Sequence, residues 1–379
     1  MATRPPSKYK GTDRYNPRSG LGRLRRAHAQ DGQRVAGWEQ RTEDDAFLER
    51  QAIVVKHSHG GEHLLAKFNR LAAGLLRENG GEPGEICGFQ GREVIVRLTN
   101  GEEISCTVRQ LLKKQVSGVK NPLCVGDVVR VDRASDPVII GIAPRRNQLA
   151  RADSHNRALI HVFAANIDYL VIVSSMREPD LKYGLIDRYL LIAALNSIPA
   201  ALVLNKSDLA DTGFPTELYG ALGIPVFSTS AREGSGDLAP LRELLHGKTC
   251  VVAGQSGVGK SSLVNAMFPQ FSARTGTVAD EGFGRHTTTA ARSYALPDGS
   301  RLIDTPGIRE CAITGIAALD VALLYPDLAA LHPACHFADC SHLHEPGCAV
   351  LEAVEAGTLS LSRYESYRSI VEEDLAEGK

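Results

Sequence analysis

The apolar positions change their period along this chain. Between His63 and Arg77, Leu64, Leu65, Phe68, Leu71, Ala72 and Leu75 recur at helical spacing and predict a structural helix. From Pro83 the period is two. Val94, Val96 and Leu98 alternate with polar residues, Thr99-Asn100-Gly101 marks a hairpin, and Ile104, Cys106 and Val108 resume the alternation. With Val125–Val131 and Val138–Ile142 these short strands predict a small closed barrel of the OB-fold kind. Beyond residue 152 the strands become unbroken apolar runs, Tyr169–Val173, Ala200–Leu204, Cys250–Ala253 and Leu302–Ile303, each ending in a polar or Gly-rich turn. Leu185–Leu195 has helical character between two of them, so this part reads as α/β with buried parallel strands. A last helix near Ser360–Leu375 carries Tyr364, Tyr367, Ile370, Val371 and Leu375 as its packing face.

Composition changes little at first: 43% hydrophobic and 23% charged residues are globular proportions, and 379 residues suggest two or three domains. The net charge of −1 hides an asymmetry, because residues 1–151 carry 26 Lys+Arg against 17 Asp+Glu and the remainder is acidic. Residues 1–34 hold nine Lys+Arg against Asp13 and Asp31, and predict a disordered basic tail able to neutralise nucleic-acid phosphates. On the barrel, Arg92, Arg97, Arg109, Lys113, Lys114, Lys120, Arg130, Arg145 and Arg146 are candidates for an RNA-facing surface. No apolar stretch approaches the length of a membrane span, and no apolar region follows the basic start as in a secretory signal. Scattered cysteines outside one cluster suit a reduced, cytoplasmic setting.

The chemistry lies in the second half. Gly254-Gln255-Ser256-Gly257-Val258-Gly259-Lys260-Ser261 matches a phosphate loop, and it stands between an apolar strand and the helical Ser262–Met267, as that motif requires. Its backbone N–H groups would converge on phosphates, Lys260 would reach the β- and γ-phosphates, and Ser261 would ligate Mg²⁺. Asp304-Thr305-Pro306-Gly307 follows a second strand; Asp304 would hold the Mg²⁺ shell and the Gly307 N–H would sense the γ-phosphate. Asn205-Lys206-Ser207-Asp208 ends a third strand. The Asp208 carboxylate can accept the N1–H and N2–H₂ donors that guanine has and adenine lacks, and the Ser230-Ala231 loop would read O6 by a backbone N–H. The base-reading motif precedes the phosphate loop, the reverse of ordinary GTPases, which predicts a circularly permuted G domain. Cys335, Cys340 and Cys348 with a nearby histidine suit a closed structural Zn²⁺ site, although spacing alone leaves His332, His336, His342 and His344 in competition.

Permuted order, a preceding basic barrel and a following Cys/His cluster together resemble the ribosome small-subunit-dependent GTPases, the RsgA (YjeQ or EngC) family. Asn205–Asp208, Gly254–Ser261, Gly284–Thr289, Asp304–Gly307 and Cys335–Cys348 carry the resemblance, which covers roughly residues 84–379. It implies a multidomain chain: a basic N-terminal extension (1–83), an OB-fold RNA-binding domain (84–151), a circularly permuted α/β P-loop GTPase domain (152–325) and a C-terminal zinc-binding helical domain (326–379). The family pattern selects His342 as the fourth zinc ligand. It makes Gly284–Thr289 the first switch, with Thr288 completing the Mg²⁺ shell (Thr287 is the alternative). Ile308 stands where many GTPases orient water with glutamine, so intrinsic turnover should be slow, and His286 would supply the missing group once a partner orders the switch. The implied partner is the small ribosomal subunit with its rRNA, engaged by a cytoplasmic monomer that hydrolyses GTP to GDP and needs no membrane.

Overall fold

The computed structural model describes residues 61–76, 80–108, 123–152, 160–269, 291–304 and 317–377. The alternating half curls into a barrel because each of its strands has one apolar face to bury. A helix, α1 (Gly61–Leu76), precedes five strands, β1 (Glu82–Gln90), β2 (Glu93–Leu98), β3 (Glu103–Val108), β4 (Val128–Asp132) and β5 (Val138–Ile142). They close in the order β1-β2-β3-β5-β4, with β3–β5 the one parallel pairing, which is OB topology. Ile86, Val96, Val131 and Ile139 fill the interior with no exposed surface. Helix α1 belongs to this core, for Phe68 and Ala72 are buried in the same cluster.

Arg145 departs from its expected place on an RNA-facing surface. Its guanidinium is buried, grips both carboxylate oxygens of Asp127 at 2.7 and 2.8 Å, and lies 3.8 Å from the centre of the Phe68 ring. The Asn69 side chain donates to the Arg145 carbonyl and accepts from its N–H, so α1 is fastened to the barrel through this arginine. Arg97 is half-buried and is held by surface Glu103 at 2.7 Å and by the Ser293 carbonyl at 3.0 Å. Burial of a cation requires a partner, and Arg145 has a fully buried one in Asp127. Arg92, Arg130 and Arg146 keep exposed or half-exposed positions; Arg109, Lys113, Lys114, Lys120 and the tail 1–34 lie outside the described residues.

A hairpin of β6 (Gln148–Ala152) and β7 (Ile160–Ala165) leads out of the barrel. The α/β part follows as β8 (Tyr169–Ser175), α2 (Tyr183–Leu195), β9 (Ala200–Asn205), α3 (Gly213–Gly220), β10 (Val226–Ser230), β11 (Ser235–Gly236), α4 (Leu238–Leu245), β12 (Thr249–Ala253), α5 (Lys260–Met267), β13 (Arg292–Ala295) and β14 (Arg301–Asp304). Its seven strands are ordered β11-β10-β9-β8-β12-β14-β13, parallel except at the two edges. Both faces are covered, one by α4 and α5, the other by α2 together with the C-terminal helices, which is why the central strands read as continuous apolar runs. The barrel grips the β13–β14 edge through Arg97 on Ser293 and Glu85 on Arg301 at 2.9 Å. Burial raises the Glu85 carboxyl pKa, against the pull of Arg301 and Arg97.

The C-terminal part adds α6 (Ala318–Leu323), α7 (Pro326–Leu331), a 3₁₀ turn at His332–Ala334, α8 (Ala349–Glu355) and α9 (Leu361–Glu377). Helix α9 buries Tyr364, Tyr367, Ile370 and Val371, the face its periodicity predicts. Beneath them Arg363 bonds Asp187 of α2 and clasps both oxygens of Asp327, at 2.9 and 3.1 Å, so one buried cation ties this region to the sheet.

Candidate nucleotide site and metal centre

Four of the expected motifs hang from the C-terminal ends of parallel strands. Asn205 closes β9, Ser230 closes β10, Gly254 follows β12 and Asp304 closes β14. That edge is where an open α/β sheet receives its ligand. Strand pairing brings β12 beside both β8 and β14, with Val251 opposite Leu170 and Ile303, so Asp304 and the phosphate loop share one rim despite the permuted order.

The loop Gly254–Ser261 needs its glycines sterically. Gly254 has φ 147°, and a Cβ there would fall 2.1 Å from the Val173 carbonyl oxygen. Gly259 has φ 92°, and a Cβ would fall 2.4 Å from the Asn205 amide nitrogen. Leu263 N–H bonds the Gly259 carbonyl, starting α5 directly after the loop. The Lys260 ammonium curls back onto the carbonyls of Gly254 and Gln255, at 3.0 and 2.8 Å, and so spans the loop mouth. Val258 is buried beneath it, Ser256, Gly257 and Ser262 are exposed, and Ser261 is half-buried on the first turn of α5.

Asn205 stitches the two halves together. Its Nδ2 donates to the Val258 carbonyl at 2.8 Å, while its Oδ1 accepts from Thr229 Oγ1 at 3.2 Å and Ala231 N–H at 3.1 Å. A fully buried amide thereby has its oxygen and nitrogen both engaged, and the phosphate loop is locked to the β9 and β10 ends. Thr229 is a residue that sequence reading overlooked, since nothing in a strand-ending threonine marks it. The Ala231 N–H, expected to read a base, is directed at Asn205 here. Lys206 has φ 60°, and its ammonium bonds the Glu178 carbonyl in the turn after β8, a second segment the motifs did not announce. Asp208 is exposed beside it, its carboxylate available at the site's rim. The first switch with His286, Thr287 and Thr288, and Thr305–Ile308 with Gly307, lie outside the described residues.

The cysteine cluster comes together as a metal centre would require. Ligand atoms of Cys335, Cys340, His342 and Cys348 all lie within 4.8 Å of one another. Cys335 and Cys348 sulfurs are 4.0 Å apart, and His342 Nδ1 lies 3.3 Å from Cys348 Sγ and 3.6 Å from Cys335 Sγ. A tetrahedral ion with bonds of about 2.3 Å to sulfur sets sulfur–sulfur separations near ~3.8 Å, so the donor set fits Zn²⁺ in type and size. Desolvation, with the neighbouring His332, lowers the His342 pKa to about 4, which keeps its imidazole neutral as ligation demands. Tyr364 OH bonds the His342 carbonyl at 3.1 Å and Tyr367 OH bonds Ser341, so α9 holds the ligand loop from below. Of the histidines in competition, His336 and His344 are exposed and outside the cluster, and His332 lies behind His342.

The family model described as RsgA GTPase matches residues 142–314. The small ribosomal subunit biogenesis GTPase RsgA of Gemmatimonas aurantiaca is 42% identical over 286 residues, covering 73% of this chain and 92% of the relative. The chain belongs to the RsgA GTPase family. The RsgA of Porphyromonas gingivalis is 39% identical over 308 residues, 78% of this chain and 98% of its own. Among solved structures, YjeQ from Thermotoga maritima aligns with TM-score 0.61 at 30% identity, covering 78% of this chain and 98% of that one. YloQ, described as a circularly permuted GTPase, aligns with TM-score 0.60 at 27% identity over 79% and 96%. Like other RsgA GTPases this chain is a GTP hydrolase, and the permutation inferred from motif order is its fold. Among the described residues no helix is long and apolar enough to cross a membrane.

Proposed function

We propose that this GTPase assists maturation of the small ribosomal subunit, binding it through rRNA and leaving it when GTP is hydrolysed. The observation that carries the reading is the Asn205 junction, which unites a phosphate loop with a base-reading motif at one sheet edge. The relatives named for small-subunit biogenesis supply the subunit.

In this reading Asp208 accepts the guanine donors, with Lys206 alongside and the Ser230–Ala231 loop closing the base pocket. Backbone N–H groups of Gly254–Lys260 take the phosphates. The Lys260 ammonium exchanges its two loop carbonyls for phosphate oxygens, so it is preorganised at the position where negative charge arrives. Ser261, Thr288 and Asp304 would hold Mg²⁺, whose chemistry is neutralisation of charge between the β- and γ-phosphates. Gly307 would sense the γ-phosphate, and His286 would orient the attacking water when the subunit orders the switch. Cys335, Cys340, His342 and Cys348 would hold one structural Zn²⁺, which cross-links the ligand loop and takes no part in hydrolysis. Arg92, Arg130, Arg146 and the basic tail would meet rRNA phosphates, so binding should weaken steeply as salt rises.

The test measures GTP hydrolysis by the full chain with small subunits, with large subunits and alone, at low salt. Stimulation by small subunits only, lost in His286→Ala with binding retained, is the expected result. Equal rates in all three arms would remove the ribosomal reading, and full stimulation in His286→Ala would remove that histidine's role.

A further inference from the structure

A histidine that ligates a metal through one ring nitrogen carries a proton on the other, and a buried N–H needs an acceptor. In this chain His342 has no exposed surface. Its Nδ1 faces the thiols, and its Nε2, on the far side of the ring, lies 3.2 Å from Nδ1 of His332. The two rings meet edge to face, 86° apart with centroids separated by 5.1 Å. His332 is itself buried and sits in the turn that ends α7, where its carbonyl accepts the Cys335 N–H at 3.1 Å. One residue thus touches two ligand positions, His342 by its ring and Cys335 by its backbone.

We infer that His332 is a positioning residue for the metal centre, accepting the His342 Nε2–H on its Nδ1. That bond fixes the tautomer whose Nδ1 lone pair points at the Cys335, Cys340 and Cys348 sulfurs. This rests on the zinc reading of the cluster. His332 stands outside the four-ligand cluster, and its Nδ1 meets the His342 ring at Nε2, the nitrogen turned away from the thiols. It acts by removing the alternative tautomer and the alternative ring orientation, either of which would turn a proton toward the metal position. Outer partners of this kind typically raise metal affinity by about 10–100-fold.

Two measurements test it on the full-length, zinc-loaded chain. In wild-type protein labelled with ¹⁵N-histidine, His342 should show a metal-bound Nδ1 and a protonated Nε2, with scalar coupling across the hydrogen bond to His332 Nδ1. In chelator competition, His332→Ala should bind one zinc per chain with affinity lowered about 10–100-fold, and His332→Gln, whose amide oxygen can accept, should recover most of it. Ligation through His342 Nε2, or unchanged zinc affinity in His332→Ala, overturns the inference. Should His332→Ala fail to fold, the wild-type spectrum decides alone. Absence of zinc from the wild-type chain would instead bring down the metal reading itself.

Discussion

Asn205 makes three hydrogen bonds with one amide, and its neighbour Asp208 makes its contribution by standing exposed at the same rim. Asp208→Asn should lower GTP affinity by about 1.5–3 kcal/mol, the worth of hydrogen bonds to a charged acceptor, while improving xanthosine triphosphate binding. Titration with both nucleotides checks this; unchanged GTP affinity would detach Asp208 from the base. Glu85 offers a test of sign. Its folded pKa is raised by burial despite Arg301 and Arg97, so its contribution to stability is present at low pH and declines as pH rises through the folded pKa. The melting temperature of Glu85→Gln relative to wild type should therefore climb as pH rises from the ordinary glutamate range upward. A relative fall over that range would mean that the ion pair with Arg301 outweighs desolvation.

At the scale of elements, α1 is part of the barrel's core rather than a linker. Phe68→Ala should cost about 3–5 kcal/mol in denaturant unfolding, because it opens a cavity in the core shared by helix and barrel and strips the ring beneath Arg145. A loss under ~1 kcal/mol would show that the barrel closes without the helix. The strands themselves were legible: period two gave β2, β3 and their hairpin, continuous apolar runs gave β8, β9 and β12, and Asn205, Gly254 and Asp304 stand at the ends of the strands expected to carry them. The β6–β7 hairpin was not, since Gln148–Ala152 is short and mixed. Nor could charge alone sort Arg145 and Arg97 from Arg92 and Arg130. A basic residue announces its charge in sequence but not its counterion, and Asp127 lies 18 positions from Arg145 with β4 and β5 between them. The same limit hid His332, a histidine whose meaning depends on which ring it touches.

Over the whole molecule, the sheet and the cysteine cluster share one core: Leu170, Ile172 and Val251 of the strands pack in the same cluster as Cys340, Cys348 and Tyr367. Arg363 is the polar tie within it, buried between Asp187 and Asp327. Arg363→Ala leaves the Asp187 carboxylate buried without its cation and should cost about 3–5 kcal/mol. Arg368→Ala on the exposed side of α9, where the pair with Glu372 is 3.8 Å long, should stay within about 0.5 kcal/mol. Equal losses in the two variants would contradict this division of labour. The permuted strand order also has a consequence in time. β8 is flanked by β9 and β12, yet 44 positions separate Asn205 from Thr249. On an elongating chain β8, β9 and β10 emerge and can pair first, leaving the inner edge of β8 open until the phosphate-loop strand arrives. At ~5–20 residues per second that opening lasts roughly 2–9 seconds. A bare strand edge is a template for any passing strand, so each newborn copy spends those seconds dependent on its own next segment winning a race against its neighbours.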